Sequence, residues 1–464
     1  MRILRTGFVA LASLLAIVSV GRAANAADLG GDCCADLEDR VAELEATTAR
    51  KGNRKVSLTV SGWVSQQLMY FDNGAVNDVY VTDIGSTLGS HVKFSGTAQV
   101  TPDVTAGYVL HIEMMDSDPI TAGNPAWRGG GPAAYAMAEN GTVEYDVVSP
   151  LYSYWFMKHK SLGQVMVGLI PQASEHAAVL VDGSGSALQA NWTPLNGLGI
   201  ALSKGGHEIL LDKDFGMATL VPNVGFPVGA AMWCGSTSLP TSGNCDPLPM
   251  NGIRYDSPTL GGFSASASWS EDDFWDVALR YAGEHGGFKI SAVASYYRNS
   301  DEADYTGFNT VTGLTNVVKR DAGYFQTAAY LQHLQSGLFL YGAYGKEDND
   351  NNLVTQALTD AQPSGNVWYT KAGLRKKWSS LGATVLYAEL SERNDMYHPD
   401  LSAFGVTGSK LTQWGGGVVQ EIDAASMSLW LTYTNYQASF ENAPAAISDL
   451  DDIDVVTGGA LVLF

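Results

Sequence analysis

From residue 55 to the C-terminus, apolar and polar residues alternate with a period of two in sixteen short segments. Such alternation is typical of β-strands with one face in an apolar environment and the other in water. The segments are 56–70, 88–100, 104–115, 151–159, 165–171, 252–257, 262–270, 274–282, 287–298, 322–333, 337–346, 367–378, 382–392, 411–422, 426–440 and 453–464. The chain is therefore expected to be all-β beyond its first 54 residues.

The connections between these segments differ in length according to their order. Those after even-numbered segments are short and rich in turn residues: 101–103, 160–164, 258–261, 283–286, 334–336, 379–381 and 423–425. Those after odd-numbered segments are long, apart from 271–273: 71–87, 116–150, 172–251, 299–321, 347–366, 393–410 and 441–452. An even strand count with short turns at one end and long loops at the other is typical of a membrane barrel. Residues 55–464 are thus predicted to form a 16-stranded antiparallel transmembrane β-barrel.

The last segment, 453–464, is apolar and ends on an aromatic residue. Every second residue could share one face: Val456, Gly458, Ala460, Val462 and Phe464. One interpretation is a covered strand in a soluble β-sandwich, which has no reason to sort its loops by length. The other is the closing strand of the barrel, paired with segment 56–70, with Phe464 in the interfacial aromatic girdle.

The N-terminus has the features of a targeting segment. Arg2 and Arg5 precede an uncharged run at 7–21, and the small residues 24–26 suit a cleavage site. The alternative, a signal anchor, is disfavoured because the run is shorter than the roughly 20 residues of a membrane span. Residues 1–26 are predicted to be a signal peptide that is removed on export.

Residues 27–54 are predicted to be a periplasmic linker with a short coiled-coil-like helix. Four residues follow heptad spacing: Leu37, Val41, Leu44 and Thr48. Two heptads are marginal for an isolated helix, so a solvated linker is an equal alternative. Cys33 and Cys34 are poor partners for each other and could instead link neighbouring chains.

The charge balance excludes one class of partner. Lys and Arg number 27 against 48 Asp and Glu, a net charge of −21, so nucleic acid is not an expected partner. Much of the acidic excess lies in the long loops at 116–150, 347–366 and 441–452. These acids are either a solvated surface or oxygen ligands for divalent cations that bridge to anionic lipid.

Motifs of common enzymes are missing from the sequence. There is no Gly-x-Ser-x-Gly, His-Glu-x-x-His, Cys-x-x-Cys or phosphate-binding loop. We therefore expect neither catalysis nor a cofactor.

Five basic residues lie within the segments, where a charge on the lipid face costs about 2–4 kcal/mol at mid-depth. We expect them on the inner wall: Lys93, Arg254, Arg280, Lys371 and Arg375.

Three motifs resemble strands of Gram-negative general porins: STLGSHVKFSGT at 86–97, LGQVMVGL at 162–169 and RYDSPTLGGF at 254–263. With the terminal Phe464 and the run LEDRVAEL at 37–44, the chain is most similar to alphaproteobacterial outer-membrane porins. The resemblance implies a 16-stranded barrel, usually a homotrimer, that lies in the outer membrane among lipid and lipopolysaccharide. It implies passive diffusion of small hydrophilic solutes.

In this family the third loop folds into the barrel, which implies an inward part within 172–251. We expect its acids to face the five basic wall residues and set a transverse field: Glu175, Asp182, Glu208, Asp212 and Asp214. Each could equally be an ordinary charge in water. Cys234 and Cys245 are predicted to form a disulfide because an exported protein is in an oxidising compartment, with two free thiols as the alternative.

The sequence therefore predicts a water-filled channel, with mild cation preference because a negative mouth concentrates cations. One alternative is a substrate-specific channel, such as a sugar channel guided by Tyr369, Tyr387 and Trp430. Another is a structural protein that ties the membrane to the cell wall through the N-terminal helix.

Overall fold

The computed structural model describes residues 56–85, 89–114, 119, 122–125, 148–191, 193–215, 224–232, 234, 238–240, 245–271, 273–300, 305–308, 315–318, 321–349, 353–354 and 364–464. The predicted signal peptide, linker and heptad helix lie outside these residues.

One antiparallel sheet of seventeen strands dominates the structure. Its strands are β1 (Thr59–Asp72), β2 (Asn77–Thr82), β3 (His91–Thr101), β4 (Val104–Met114), β5 (Val148–His159), β6 (Gly163–Ile170), β7 (Met250–Asp256), β8 (Phe263–Ser270), β9 (Phe274–His285), β10 (Phe288–Asn299), β11 (Ala322–His333), β12 (Leu338–Asn349), β13 (Asn366–Lys376), β14 (Thr384–Asn394), β15 (Gly408–Ile422), β16 (Met427–Glu441) and β17 (Ile453–Leu463). Because β2 and β3 together form one barrel strand, the predicted sixteen-stranded barrel is confirmed.

The barrel closes between its first and last strands, as predicted. β1 pairs with β17 from Trp63 opposite Leu463 to Asp72 opposite Asp454. Beyond the strand, the backbone N–H of Phe464 donates to the Gly62 carbonyl at 3.1 Å. Closure leaves no open edge between β1 and β17, so backbone groups along this seam pair inside the membrane.

Side chains of β17 alternate between a packed interior and an open outer face. Leu461 is 3% exposed, whereas Val462 is 40% and Phe464 59% exposed. The row that begins at Val456 thus faces outward, toward lipid.

The first long loop expected from the sequence, 71–87, is largely absent. β1 turns at 73–76 directly into β2, which pairs back along its upper part. The described residues 83–85 and 89–90 lie outside the strands, and the chain resumes as β3 against the lower part of β1. Ser90 repairs the gap in the hydrogen-bond ladder, because its hydroxyl accepts from the Ser65 N–H at 3.0 Å and donates to the Ser65 carbonyl at 3.2 Å.

The remaining connections follow the expected division between a turn end and a loop end of the barrel. At the turn end, β9 and β10 are joined by Gly286 and Gly287 with φ of 58° and 84°. Two successive positive φ values are those of a type I′ turn, which matches the twist of a hairpin. At the loop end, the expected loops contain additional short strands at Ser203–Lys204, His207–Glu208, Ser238–Pro240, Cys245–Pro247, Tyr305–Phe308, Thr315–Val318 and Leu353–Val354.

The described parts of the connection between β6 and β7 pack against the inner wall of the barrel. The connection contains α1 (Ala177–Leu180), α2 (Ala187–Ala190), α3 (Thr193–Gly197) and α4 (Leu211–Asp214). Within the described chain, no helix is long and apolar enough to cross a membrane.

Two apolar cores hold this connection in place. The deeper one combines α1–α3 with wall residues of β10–β17, including Tyr330, Phe339, Tyr341 and Trp430. The other lies at the loop end and joins residues 200–215 and 224–232 to β1, β16, β17 and the β14–β15 connection. Its members include Ile200, Leu202, Phe226, Met69, Phe71, Tyr397, Tyr436 and Ile453.

Candidate functional site

Residues 172–191 and 193–197, here called the inward segment, run along the inner wall and carry most of the candidate site. The two arginines of β7 and β9 hold its start. Arg254 donates to the carbonyls of Pro171 and Gln172 at 3.1 and 2.9 Å. Arg280 donates to the next carbonyl, that of Ala173. Three consecutive carbonyls are thus bound by guanidinium groups, whose fixed planar donors suit such a clamp.

Polar side chains of the following strands hold the next turn. The Asp276 carboxylate accepts from the backbone N–H and hydroxyl of Ser174 at 2.6 and 2.7 Å. The Gln326 amide donates to the Ser174 carbonyl and accepts from the Ala178 N–H, both at 3.0 Å. Tyr341 donates to the Ala178 carbonyl at 2.8 Å. These bonds satisfy backbone groups that would otherwise be unpaired in the barrel interior.

A buried ion pair lies at the middle of the inward segment. The Lys371 ammonium is 2.5 Å from Asp182, and both side chains are fully buried. Lys371 also donates to the Ser186 hydroxyl at 3.1 Å, while Asp182 accepts from Asn191 at 3.0 Å. The sequence reading placed this lysine and this acid on opposite sides of a field, whereas the structure brings them into direct contact. Neither side chain is open to water in this arrangement.

Glycines allow the tip of the segment to approach the wall closely. A Cβ on Gly183 would lie 2.9 Å from the Tyr330 ring. Gly185 has a φ of +83°, and a Cβ there would lie 2.8 Å from Glu421 Oε1. Arg375 forms two hydrogen bonds to the same Glu421 carboxylate, at 2.7 and 2.8 Å. The tip therefore lies on an arginine–glutamate pair whose charges compensate each other.

The segment ends where it returns to β1. Asn196 accepts from the Gln67 side chain at 3.0 Å. A Cβ on Gly85, in the excursion between β2 and β3, would meet Leu195 at 2.8 Å. The inward segment thus contacts the wall from β7 round to β1.

The remaining predicted acids lie elsewhere. Glu175, 4% exposed, accepts from the Tyr152 hydroxyl at 2.6 Å. Glu208 accepts from Asn73 at 2.9 Å, at the β1–β2 turn. Asp214 is exposed and accepts the Leu210 N–H of its own helix at 2.6 Å. Asp212 lies in α4, and its side chain is outside the described structure. Of the five predicted acids, only Asp182 is ion-paired to a predicted wall cation in the described structure.

Lys93 differs from the other four wall cations. It lies on β3 opposite His111 of β4 and is half-buried. In the part of the chain that the structure describes, its ammonium has no acidic partner.

Cys234 and Cys245 are joined by a disulfide, with Sγ atoms 2.02 Å apart. The bridge lies in a third small core with Phe274 and Tyr324. Tyr297 donates to the Cys245 carbonyl at 3.1 Å. The outer part of the connection is therefore held against the wall of β9–β11.

Sequence reasoning missed the neutral anchors of the inward segment. Ser268 and Ser270 of β8 donate to the Gln172 side chain at 3.0 and 2.9 Å. The repeated Ser at every second position of β8 was the available signal for an inner face that binds a backbone segment. Tyr369 and Tyr387, which were candidates for an exposed aromatic row, are only 2% and 7% exposed because the segment covers them.

The arrangement is suited to narrowing a passage. Among the described residues, no group of three or more His, Cys, Asp or Glu side chains could hold a metal ion. Arg254, Arg280 and Lys371 bind carbonyls or a carboxylate of the inward segment and fix its course.

Comparisons with known proteins gave matches among solved structures and to one family model. A search among curated proteins returned no match. The anion-selective porin from Comamonas acidovorans has a TM-score of 0.50 at 14% identity, over 88% of this chain and 100% of that chain. OmpT of Vibrio cholerae gives 0.48 at 11% identity over 89% and 99%. Salmonella typhi OmpF gives 0.46 at 11% over 88% and 98%.

At these identities the first structure shows a shared fold and no more. The family model described as "Gram-negative porin" matches residues 10–442, which is most of the chain. The protein therefore belongs to the Gram-negative porin family and is an outer-membrane porin.

Proposed function

We propose that this porin forms a water-filled channel for passive diffusion of small hydrophilic solutes and ions. The supporting observation is that the inward segment is bound along the barrel wall, which leaves the barrel narrowed along one side. Family and fold are those of channels rather than enzymes.

Mild cation preference is part of the proposal. Lys371 and Arg375 each bind a carboxylate directly, so their positive charge is compensated inside the barrel. The acids that account for the net charge of −21 then lie mainly outside the inward segment. A negative mouth of the barrel concentrates cations.

The assembly and the N-terminal parts are also proposed. A homotrimer in contact with lipid and lipopolysaccharide is supported by the family and by the heptad spacing at 37–48. Residues 1–26 are a signal peptide, 27–54 a periplasmic linker and 55–464 the barrel, and the run at 37–44 supports an alphaproteobacterial subgroup.

A substrate-specific channel is the second candidate. It is favoured by the apolar core at the loop end, which occupies part of the mouth near β16, β17 and β1. A filled mouth passes fewer solutes than an open one, and selectivity then depends on individual wall residues.

Planar-bilayer recording of the purified protein tests these proposals. We expect conductance in groups of three equal steps. In a salt gradient, we expect the sign of the reversal potential to show that cations permeate more easily than anions. An absence of conductance would refute the channel. A reversal potential whose sign shows that anions permeate more easily would refute the cation preference. Liposome swelling with a size series separates the two candidates, because a smooth size limit indicates a general porin and saturation by one solute indicates a specific channel.

A further inference from the structure

A row of four rings crosses the inner wall from β1 to β5. Trp63, His91, His111 and Tyr152, here called the ring row, lie on β1, β3, β4 and β5. Successive ring centroids are 4.0, 4.1 and 5.2 Å apart. The histidines are buried, whereas Trp63 and Tyr152 at the two ends are half-buried. The row therefore presents aromatic surface at its ends.

Lys93 lies directly beside this row. It is the cross-strand partner of His111, so the two side chains are neighbours on one face. An ammonium group without a counter-ion must stay hydrated, because burying an isolated charge is prohibitive. Lys93 is half-buried and has no acidic partner among the described residues, so we expect its ammonium to face the water of the channel.

His111 carries a second unused group. Its side chain is 7% exposed, and its Nε2 has no hydrogen-bond partner within the described structure. The neighbouring His91 differs, because its Nδ1 is 3.0 Å from the Gly89 carbonyl. A buried imidazole nitrogen without a partner is unfavourable, and a ligand that accepts a hydrogen bond from its N–H stabilises it.

Three acids of this part of the wall accept hydrogen bonds from other donors, and none of them is ion-paired with Lys93 in the described structure. Asp83 accepts from the Ser90 N–H at 2.6 Å. Glu113 accepts from the Gly89 N–H. Glu175 accepts from Tyr152 at 2.6 Å and from the Gln172 N–H at 2.9 Å. All three carboxylates are buried, and this part of the wall offers a cation and rings to a passing solute.

We propose that Lys93, His111 and the exposed ends of the ring row form a binding subsite for small organic anions that carry a planar ring. The carboxylate of the solute binds the Lys93 ammonium and the His111 imidazole, and its ring packs on Trp63 or Tyr152. This inference rests on the proposed channel. The acidic mouth affects the ratio of cations to anions that enter the channel. The subsite affects the residence time of an organic anion inside it.

Block of the ion current by three solutes tests the subsite in the purified, full-length protein. Benzoate has both charge and ring, acetate has charge alone, and benzamide has a ring alone. We expect benzoate to reach half-block at a concentration about three- to tenfold lower than acetate, because an aromatic contact adds to the charge contact. Benzamide should block more weakly than benzoate by about tenfold, because it lacks the charge-assisted hydrogen bond.

Variants assign the effect to the residues. Lys93→Gln should raise the half-blocking concentration of benzoate to that of benzamide, and Lys93→Arg should leave it nearly unchanged. Trp63→Leu should reduce the difference between benzoate and acetate. Lys158→Gln is the matched control, because Lys158 is an exposed lysine at the turn end of β5.

Three outcomes overturn the proposal. Equal block by benzoate and acetate would show that the ring makes no contact that contributes to binding. Unchanged block in Lys93→Gln would show that Lys93 does not bind the carboxylate. Equal loss in Lys93→Gln and Lys158→Gln indicates a general field rather than a site. A preparation without conductance refutes the channel and the subsite together, whereas normal conductance with any of these results refutes the subsite alone.

Discussion

The buried ion pair between Lys371 and Asp182 should control whether the inward segment stays on the wall. Lys371→Met removes the ammonium but keeps a side chain of similar length. Asp182 is then a buried carboxylate without its cation, although Asn191 and the Ser184 N–H still donate to it at 3.0 Å. Breaking a fully buried pair by removing one partner costs about 3–5 kcal/mol.

That cost bears on the docked segment rather than on the barrel, because the strand ladder does not involve either side chain. At 1.4 kcal/mol per tenfold change, the equilibrium between docked and detached segment shifts by roughly a hundred- to several-thousand-fold. We expect single-channel records of Lys371→Met to show frequent transitions between conductance levels. Each pore of the wild-type protein should show one stable level.

Two further variants make this prediction specific. The double variant Lys371→Met with Asp182→Asn removes both charges, so most of the stable level should return. Lys377→Met is the control, because Lys377 pairs with Asp423 at 2.7 Å while both side chains are more than half exposed. An exposed pair contributes about 0–1 kcal/mol, and its loss should leave the records unchanged. A single, wild-type conductance level in Lys371→Met would refute the reasoning.

Three other perturbations have distinct expected outcomes. Gly185→Ala should alter conductance, because the residue has a φ of +83° and a Cβ there would lie 2.8 Å from a Glu421 oxygen. Gly205→Ala is the control, because Gly205 also has a positive φ but open space around it. Equal effects of the two variants would show that the close approach of Gly185 to Glu421 does not matter for conductance. Cys234→Ser with Cys245→Ser should lower the stability of the outer connection by about 2–4 kcal/mol, measured as faster limited proteolysis, and an unchanged rate would contradict it. Deleting Phe464 should reduce the amount of barrel in the outer membrane more than its conductance, because two backbone bonds at the closure are lost, and normal surface levels would contradict this.

The strands of the barrel wall and the faces of their residues could be predicted from the sequence, because both follow from local rules. A strand in a membrane must place apolar residues outward at every second position, and a charge on that face is costly. This is why the row from Val456 to Phe464 could be assigned to one face before its partner strand was known. The exception at 71–87 has a local cause as well: Ser65 and Ser90 replace ladder bonds with side-chain bonds, which a period-two pattern does not record.

The partners inside the barrel could not be assigned in the same way. Lys371 and Asp182 are 189 residues apart, and any of the five wall cations had equal reason to face any of the five acids. Only the path of the inward segment decided that Arg254 and Arg280 bind carbonyls while Lys371 binds Asp182. The same path covered Tyr369 and Tyr387, and left Lys93 without an acidic partner among the described residues.

The sequence by itself determined the barrel, its strand number and the sign of its charge, because alternation, turn residues and composition act residue by residue along the chain. The tertiary structure alone decided which charges meet, which rings are covered and which wall cation has no acidic partner among the described residues. These depend on contacts between distant residues, whose direct approach no local pattern encodes. The barrel is thus a consequence of its strands, whereas the channel within it is a consequence of one segment and the wall residues that bind it.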